Sequence, residues 1–332
     1  MSEPLPVITV LRPADPDTPL HTPPGLEALE GRAEIRFTTA DQLPQDIAGA
    51  DALYLWDFFS GALQAAWPHA DRLKWIYVAA AGVDKLLFDE LNESDVVVTN
   101  AQGIFDRPIA EWVLGAVLAE AKDFARNYRL ARTKTWDRRE TKRVDGSRAL
   151  IIGPGAIGRE IARLLRAVGI EVTGAGRTPR AEDPDFGVVV PSAELPEHVG
   201  EFDIIVNAAP LTPATRNLIG PQTLSAAKPG AHFINIGRGA SVDEPALIAA
   251  LQEGPLGFAS LDVFAQEPLP AESPLWELEN VMIASHMSGD VHGWREALAE
   301  LFLANAERWL AGEELINVVD KAAGFVPRKE NR

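Results

Sequence analysis

The sequence predicts an α/β protein built as two doubly wound, parallel-sheet domains. Three observations point there. Short apolar runs alternate with stretches of helical spacing, the pattern of strand–helix–strand units whose sheets are covered on both faces. The 332 residues exceed what one hydrophobic core of ordinary size takes, since single cores rarely grow past roughly 250–300 residues. A glycine-rich loop also joins an apolar run to a helical one near mid-chain, at residues 149–165.

In the first hundred residues, strands are expected at Val7–Leu11, Ile35–Phe37, Ala52–Leu55, Leu73–Val78 and Val96–Val98, with helix-compatible segments at Leu26–Gly31 and Gly61–Trp67. A long helix should run from roughly Pro108 to Arg132. It opens on a proline and carries Ile109, Trp112, Val113, Ala116 and Val117 at helical spacing. A second strand series follows at Ala149–Ile152, Glu171–Ala175, Asp203–Asn207, His232–Ile236, Gly257–Leu261 and Val281–Ala284. Its helices are expected at Ile157–Val168, Pro221–Ala226 and Glu244–Glu253, and a last long helix from Trp294 to Leu310 stops near Gly312. Long helices after Asn100 and after Ser288 suit a chain that leaves one domain, builds another and returns.

Composition narrows the function. At 46% hydrophobic and 24% charged residues the chain is neither disordered nor membrane-like. A net charge of −17 repels polyanions and argues against nucleic acid as a general partner. The absence of cysteine removes disulfides, thiolate nucleophiles and cysteine-held zinc or clusters. The opening Met-Ser-Glu has an acid where a secretory signal wants basic residues, and no run approaches the roughly 18–20 apolar residues of a membrane span. A cytoplasmic protein without membrane association is expected. No histidine pair has the spacing of a zinc motif, so no catalytic metal is expected. From Lys122 to Arg148, ten basic residues face only four acidic ones. That stretch reads either as a solvated helix end and loop or as an arm that docks on the acidic surface of a second subunit.

The strand Ala149–Ile152 runs into Gly153-Pro154-Gly155-Ala156-Ile157-Gly158 and then a helix. Gly153 permits a tight turn, Gly155 lets a pyrophosphate approach the backbone, and Gly158 lets the helix pack close to the strand. The N–H groups of Ala156 and Ile157 lie at the helix N-terminus, which favours phosphate, so a dinucleotide site is expected. An NAD preference wants a carboxylate at the end of the next strand. Here that end reads Ala175-Gly176-Arg177-Thr178-Pro179-Arg180. Arg177, Thr178 and Arg180 suit a 2′-phosphate, so NADP(H) is expected, with NAD(H) possible.

Three later segments carry the chemistry: Ile234-Asn235-Ile236-Gly237-Arg238-Gly239, Leu261-Asp262-Val263-Phe264 through Glu267-Pro268-Leu269, and Ser285-His286-Met287-Ser288-Gly289. With Ala81-Gly82-Val83-Asp84, Ala110-Glu111-Trp112 and Pro210-Leu211-Thr212, these resemble the D-isomer-specific 2-hydroxyacid dehydrogenase family, glyoxylate/hydroxypyruvate reductases and phosphoglycerate dehydrogenases among them, over nearly the whole chain.

The resemblance implies a flavodoxin-like substrate domain, residues 1–100 plus 288–332, and a Rossmann dinucleotide-binding domain, residues 101–287, with the active site in a cleft between them. It implies hydride transfer between NAD(P)H and a small 2-keto acid, giving a D-2-hydroxy acid, and a homodimer. Catalysis falls to Arg238, Glu267 and His286. A guanidinium fork grips a carboxylate and polarises the adjacent carbonyl directionally. An imidazole, with an ordinary pKa of about 6.5, suits proton donation near neutral pH, and Glu267 beside it would fix the ring. By the same resemblance Pro210, Thr215 and Ile236 line the cofactor and Asp262 contacts the nicotinamide carboxamide. The Ala81, Gly82 and Val83 backbone binds the substrate carboxylate, and Trp56 walls the pocket. Ser285, Met287 and Ser288 depart from the family pattern, which bears on pocket shape. A cofactor-sensing, corepressor-like protein on the same scaffold is the alternative from another class. A short-chain dehydrogenase is set aside, because Phe58, Ala81 and Arg132 stand where a lysine would follow each tyrosine by four residues.

Overall fold

A computed structural model describes residues 4–18, 20–58 and 60–327; residues 1–3 and 328–332, the outer ends of the expected discontinuous domain, lie outside that description. The chain forms two compact units, Met1–Ile104 with Val291–Arg332, and Phe105–Asp290.

In the first unit five parallel strands, β1 (Val7–Leu11), β2 (Glu34–Thr38), β3 (Ala52–Leu55), β4 (Trp75–Val78) and β5 (Val97–Asn100), take the order β2-β1-β3-β4-β5. This is the flavodoxin-like order. Alternation along the strands splits the side chains between two faces. Leu11, Leu53, Leu55, Ile76, Val78 and Val98 join a core with Leu43, Ile47, Leu63 and Leu91. On the other face Tyr54, Trp75 and Tyr77 meet the helix Trp294–Leu310. There Phe302 stacks on Tyr54 at 3.9 Å and on Trp75 at 5.6 Å between ring centroids. Two of the three polar tips are satisfied, Trp75 Nε1 donating to Thr99 Oγ1 at 2.8 Å and the Tyr77 hydroxyl to the Leu298 carbonyl at 3.0 Å, whereas the buried Tyr54 hydroxyl has no hydrogen-bond partner among the described residues. The chain returns because its last long helix completes this aromatic layer.

The second unit holds β6 (Arg148–Ile152), β7 (Glu171–Gly176), β8 (Arg180–Asp183), β9 (Gly187–Pro191), β10 (Ile204–Asn207), β11 (Ala231–Asn235), β12 (Leu256–Leu261) and β13 (Val281–Ile283). Their order is β13-β12-β11-β10-β6-β7-β9-β8, parallel throughout except that β8 runs antiparallel to β9. From β9 to β12 the sheet follows the doubly wound dinucleotide-binding order, with its reversal between β6 and β10. Both faces are buried. Leu150, Ile152, Ile205 and Phe233 point into one core, Ala149, Ile151, Val206 and Ile234 into the other. Among the described residues no helix is long and apolar enough to cross a membrane.

Three expectations need correction. The helix expected from Pro108 to Arg132 is two helices, Asp106–Ala121 and Phe124–Arg132, with Asp123 between them at φ 52° and ψ 47°. The buried stripe Ala110, Val113, Ala116, Val117 and Ala121 ends where the apolar spacing ends, and the second helix buries nothing. The hairpin β8–β9 was not foreseen, because β8 reads Arg-Ala-Glu-Asp and forms the sheet edge, where no apolar pattern is required. The expected helix Leu26–Gly31 is a single 3-10 turn, Leu26–Leu29.

Candidate active site

The glycine loop leaves the carboxyl end of β6. Gly153 has φ 100°, and a Cβ there would sit 2.7 Å from the backbone of Ala208 and Ala209, which follow β10. A Cβ on Gly158 would fall 2.2 Å from the Gly153 carbonyl oxygen, so the helix Ala156–Ala167 lies directly on the turn. Gly155 differs: a Cβ there meets nothing within 4 Å. The turn is closed behind and open in front, and no side chain caps the helix at Gly155. Its N–H groups, including those of Ala156 and Ile157, can therefore take a phosphate, and the fit to a dinucleotide is good.

Arg238, Asp262 to Glu267, and His286 follow the carboxyl ends of the neighbouring strands β11, β12 and β13. Buried amides fix the first of these turns. Asn207 Nδ2 donates to Asn235 Oδ1 at 2.8 Å and to Ser241 Oγ at 2.7 Å. Ser241 Oγ donates to the Arg238 carbonyl at 2.6 Å, and the Gly237 N–H donates to Asn235 Oδ1 at 3.2 Å. The Arg238 side chain is half-buried, with Nη1 donating to the Gly237 carbonyl at 2.9 Å. Gly239 packs so closely on the backbone of Phe264 and Ala265 that a Cβ has no room. The arginine turn and the turn bearing Glu267 are therefore in direct contact.

Glu267 bridges its own turn to the histidine. Its Oε1 accepts the Phe264 N–H at 3.0 Å, and its Oε2 lies 2.8 Å from His286 Nδ1. A carboxylate only accepts, so Nδ1 carries the hydrogen and Nε2 is left as the ring atom that can exchange a proton. Both side chains are about one-third exposed, within reach of a small molecule. Among the described residues no group of three or more histidine, aspartate or glutamate side chains is placed to hold a metal ion.

The other expected residues have these surroundings. Asp262 is 1% exposed, and its carboxylate accepts the N–H groups of Met287 and Ser288 and the Ser288 hydroxyl, which leaves it inside the turn. Trp56 is wholly buried and donates its indole N–H to the Leu20 carbonyl at 2.5 Å; it is packing for the first unit. Arg180 belongs to β8 with its Nε 3.0 Å from Asp183, whereas Arg177 and Thr178 are exposed at the end of β7. Asp183 also receives Arg159 in a fork at 2.7 and 2.8 Å, and this guanidinium holds its carboxyl well below the usual carboxylate range. The Thr215 hydroxyl donates to the Pro210 carbonyl at 2.6 Å and so closes that loop, while Pro210 is exposed. Ile236 is buried, leaving only its backbone for a cofactor. In the first unit Asn100 Nδ2 donates to the Ala81 carbonyl at 2.6 Å, which anchors the segment Ala81, Gly82 and Val83.

Sequence reasoning missed Asn207, Asn235, Ser241 and the Arg159–Asp183 fork. A signal existed for two of them. Asn207 and Asn235 are the polar ends of otherwise apolar strands, and buried amides at such places must have partners.

A family model described as the D-isomer specific 2-hydroxyacid dehydrogenase, NAD binding domain, matches residues 114–288. The glyoxylate/hydroxypyruvate reductase A of Arabidopsis thaliana is 33% identical over 277 residues, 82% of this chain and 82% of that protein. The D-3-phosphoglycerate dehydrogenase of Methanocaldococcus jannaschii is 30% identical over 314 residues, 91% of this chain and 58% of that one. Among solved structures, a D-isomer specific 2-hydroxyacid dehydrogenase from Xanthobacter autotrophicus Py2, in complex with NADPH and MES, aligns with a TM-score of 0.80 at 31% identity, covering 97% of this chain and 100% of that one. The glycine turn, the half-buried arginine and the carboxylate-held imidazole thus sit on a scaffold with known kin: the chain belongs to the D-isomer specific 2-hydroxyacid dehydrogenase family.

Proposed function

We propose that the protein is an NADP(H)-preferring reductase of small 2-keto acids, of the glyoxylate or hydroxypyruvate type, giving D-2-hydroxy acids. The observation that carries this reading is the 2.8 Å contact between Glu267 and His286 Nδ1, in a turn packed against the one that bears Arg238. When bound, the reduced dinucleotide supplies a hydride to the carbonyl carbon. Arg238 grips the carboxylate and carbonyl oxygens of the keto acid and draws charge toward the oxygen. His286 gives that oxygen the proton held on Nε2, and Glu267 stabilises the ring through Nδ1 as the charge changes. In the oxidative direction the same nitrogen takes the proton from the alcohol. Ala81, Gly82 and Val83 are the substrate-contacting segment of the first unit in this reading.

The cofactor preference rests on Arg177 and Thr178, both exposed where an NAD-specific enzyme would carry a carboxylate. The Xanthobacter relative's complex with NADPH is in keeping with that. A panel of 2-keto acids, 3-phosphoglycerate included, assayed with NADPH and NADH tests both points. Glyoxylate or hydroxypyruvate with NADPH should give the highest kcat/KM. Arg177→Ala should lower kcat/KM for NADPH by about 10–100-fold, the worth of a charge-assisted pair, and leave NADH nearly unchanged. Equal use of both cofactors, unaltered by the substitution, would refute the preference.

The proposed assembly is a homodimer formed through the basic segment Lys122–Arg148. Its helix Phe124–Arg132 has no buried residue and displays Tyr128 at 76% exposure, and Trp136, beyond the helix, is 97% exposed. Large aromatic side chains left in water on a basic segment suit a partner surface of opposite sign, which a chain of net charge −17 offers to its own copy.

A further inference from the structure

After β4 the chain leaves donors unspent: the N–H groups of Ala81, Gly82 and Val83 meet no acceptor among the described residues. Consecutive unpaired N–H groups suit an anion, provided that the turn carrying them is held still. Asn100, at the end of the neighbouring strand β5 and 2% exposed, does the holding. Its Nδ2 donates to the Ala81 carbonyl at 2.6 Å, and its Oδ1 accepts the Gln102 N–H at 3.2 Å. One end of the side chain must donate and the other accept, which an amide does and a carboxylate cannot. On either side of this bond the Ala101 N–H donates to the Ala80 carbonyl at 3.0 Å, and the Val83 side chain is buried in the core.

Asn100 is itself gripped by the carboxyl-terminal segment. Asn317, at φ 58°, donates from Nδ2 to the carbonyls of Asn100 at 3.3 Å and Gln102 at 2.8 Å. Its own carbonyl accepts the Asn100 N–H at 3.3 Å. Beyond it Val318 pairs antiparallel with Thr99, and the Val319 N–H donates to the Val98 carbonyl at 2.8 Å. Lys321 Nζ then donates to the carbonyls of Leu91, Ser94 and Val96. Residues 317–321 thus lie along the outer edge of β5, fastened at both ends.

We propose that Asn100 is a positioning residue for capture of the keto acid's carboxylate. It sets the N–H groups of residues 81–83 through the Ala81 carbonyl, and Asn317 locks it in place, so the carboxyl-terminal segment shares in substrate binding. The inference rests on the substrate-contacting role given to Ala81, Gly82 and Val83 above.

The test uses full-length native protein, Asn100→Asp and Asn317→Gly. Asn100→Asp keeps the shape and sets a carboxylate oxygen against the Ala81 carbonyl. Asn317→Gly keeps the left-handed backbone and removes both side-chain bonds. The KM for the keto acid should rise about 10–100-fold in Asn100→Asp and about 3–10-fold in Asn317→Gly, the range of charge-assisted bonds lost or weakened. The kcat should change less than about threefold, and the NADPH dissociation constant less than about twofold, since neither amide touches the reacting atoms. In cofactor-free protein, hydrogen exchange should quicken at Ala101 and Leu86, whose N–H groups donate to the carbonyls of Ala80 and Val83, and stay native in β1 and β3. Unchanged KM and unchanged exchange would overturn the inference. So would a native KM with exchange quickened throughout the five-stranded sheet, because the two amides would then serve the fold alone. If Asn100→Asp does not fold, Asn317→Gly decides by the same readouts. A native protein that reduces no keto acid would count against the reductase reading instead, and exchange at Ala101 and Leu86 would still decide whether the amides hold the turn.

Discussion

At the scale of single residues, the proposed function depends on a carboxylate that prepares a histidine. Glu267 spends one oxygen on the Phe264 N–H and the other on His286 Nδ1, so its position is fixed before any substrate arrives. Glu267→Gln keeps the shape and removes the charge. Steady-state kinetics should show kcat for keto-acid reduction falling about 100-fold, within the usual range for acid–base groups, while NADPH binding by titration stays within twofold. A variant as fast as the native protein would show that the pair is structural. The residues proposed to carry the chemistry stand out in the sequence, because arginine, glutamate and histidine occupy an ordered set of motifs. The residues that hold them were not. Asp262 is 1% exposed and accepts the N–H groups of Met287 and Ser288, and nothing in the order of letters tells a buried carboxylate from an open one. Trp56 and Arg180 went the same way, since burial and pairing are settled by neighbours far along the chain.

At the scale of elements, β-branched and aliphatic runs announced most strands to within two residues, because a strand covered on both faces has to be apolar. Strand β8 escaped because it reads Arg-Ala-Glu-Asp at the sheet edge and is tied down by the Arg159–Asp183 fork, whereas β9 does carry an apolar run with Val189 buried in the core. Polar insertions in the sheet have consequences of their own. His232 in β11 lies inside the second unit with Nε2 2.9 Å from Ser260 Oγ of β12, and burial, with the charge of Lys142 adding to it, pushes its pKa down to about 3. In the unfolded chain a histidine titrates near about 6.5. Between those values the unfolded chain binds the proton and the folded one does not, so stability is whole above about pH 6.5 and declines as the pH falls toward 3. Urea melts of native protein and His232→Leu at pH 7, 6 and 5 should show the native slope steeper by up to about 1.4 kcal/mol per pH unit. Parallel slopes would mean that His232 is charged in the folded sheet.

At the scale of the whole molecule, two sheets of different strand order were expected and are found, one flavodoxin-like and one in the dinucleotide-binding order. The helix Trp294–Leu310 lies in the first unit, where Phe302 completes the aromatic layer; in the sequence, long helices after Asn100 and after Ser288 suit a chain that leaves one domain and returns. The basic segment was ambiguous, since ten basic residues serve a solvated loop as well as an interface. The exposure of Trp136 and Tyr128 is what the dimer proposal rests on. Sedimentation velocity should give twice the 35.9 kDa chain mass for the native protein, and one chain mass for a Tyr128→Glu, Trp136→Glu double variant. A native protein that sediments as a single chain would contradict the proposed dimer.

The measurement that bears most directly on the whole account is NADPH-dependent reduction of glyoxylate and hydroxypyruvate across pH 5–9, in native protein, Arg238→Ala and His286→Ala. NADPH affinity is taken on the same samples. Proton donation by His286 and carboxylate capture by Arg238 predict that kcat falls by about 100–10,000-fold without the imidazole, that the pH dependence of the residual rate flattens, and that the arginine variant loses kcat/KM for the acid. Affinity for NADPH should stay close to native in both. Turnover that survives either substitution with its pH profile intact would contradict the account.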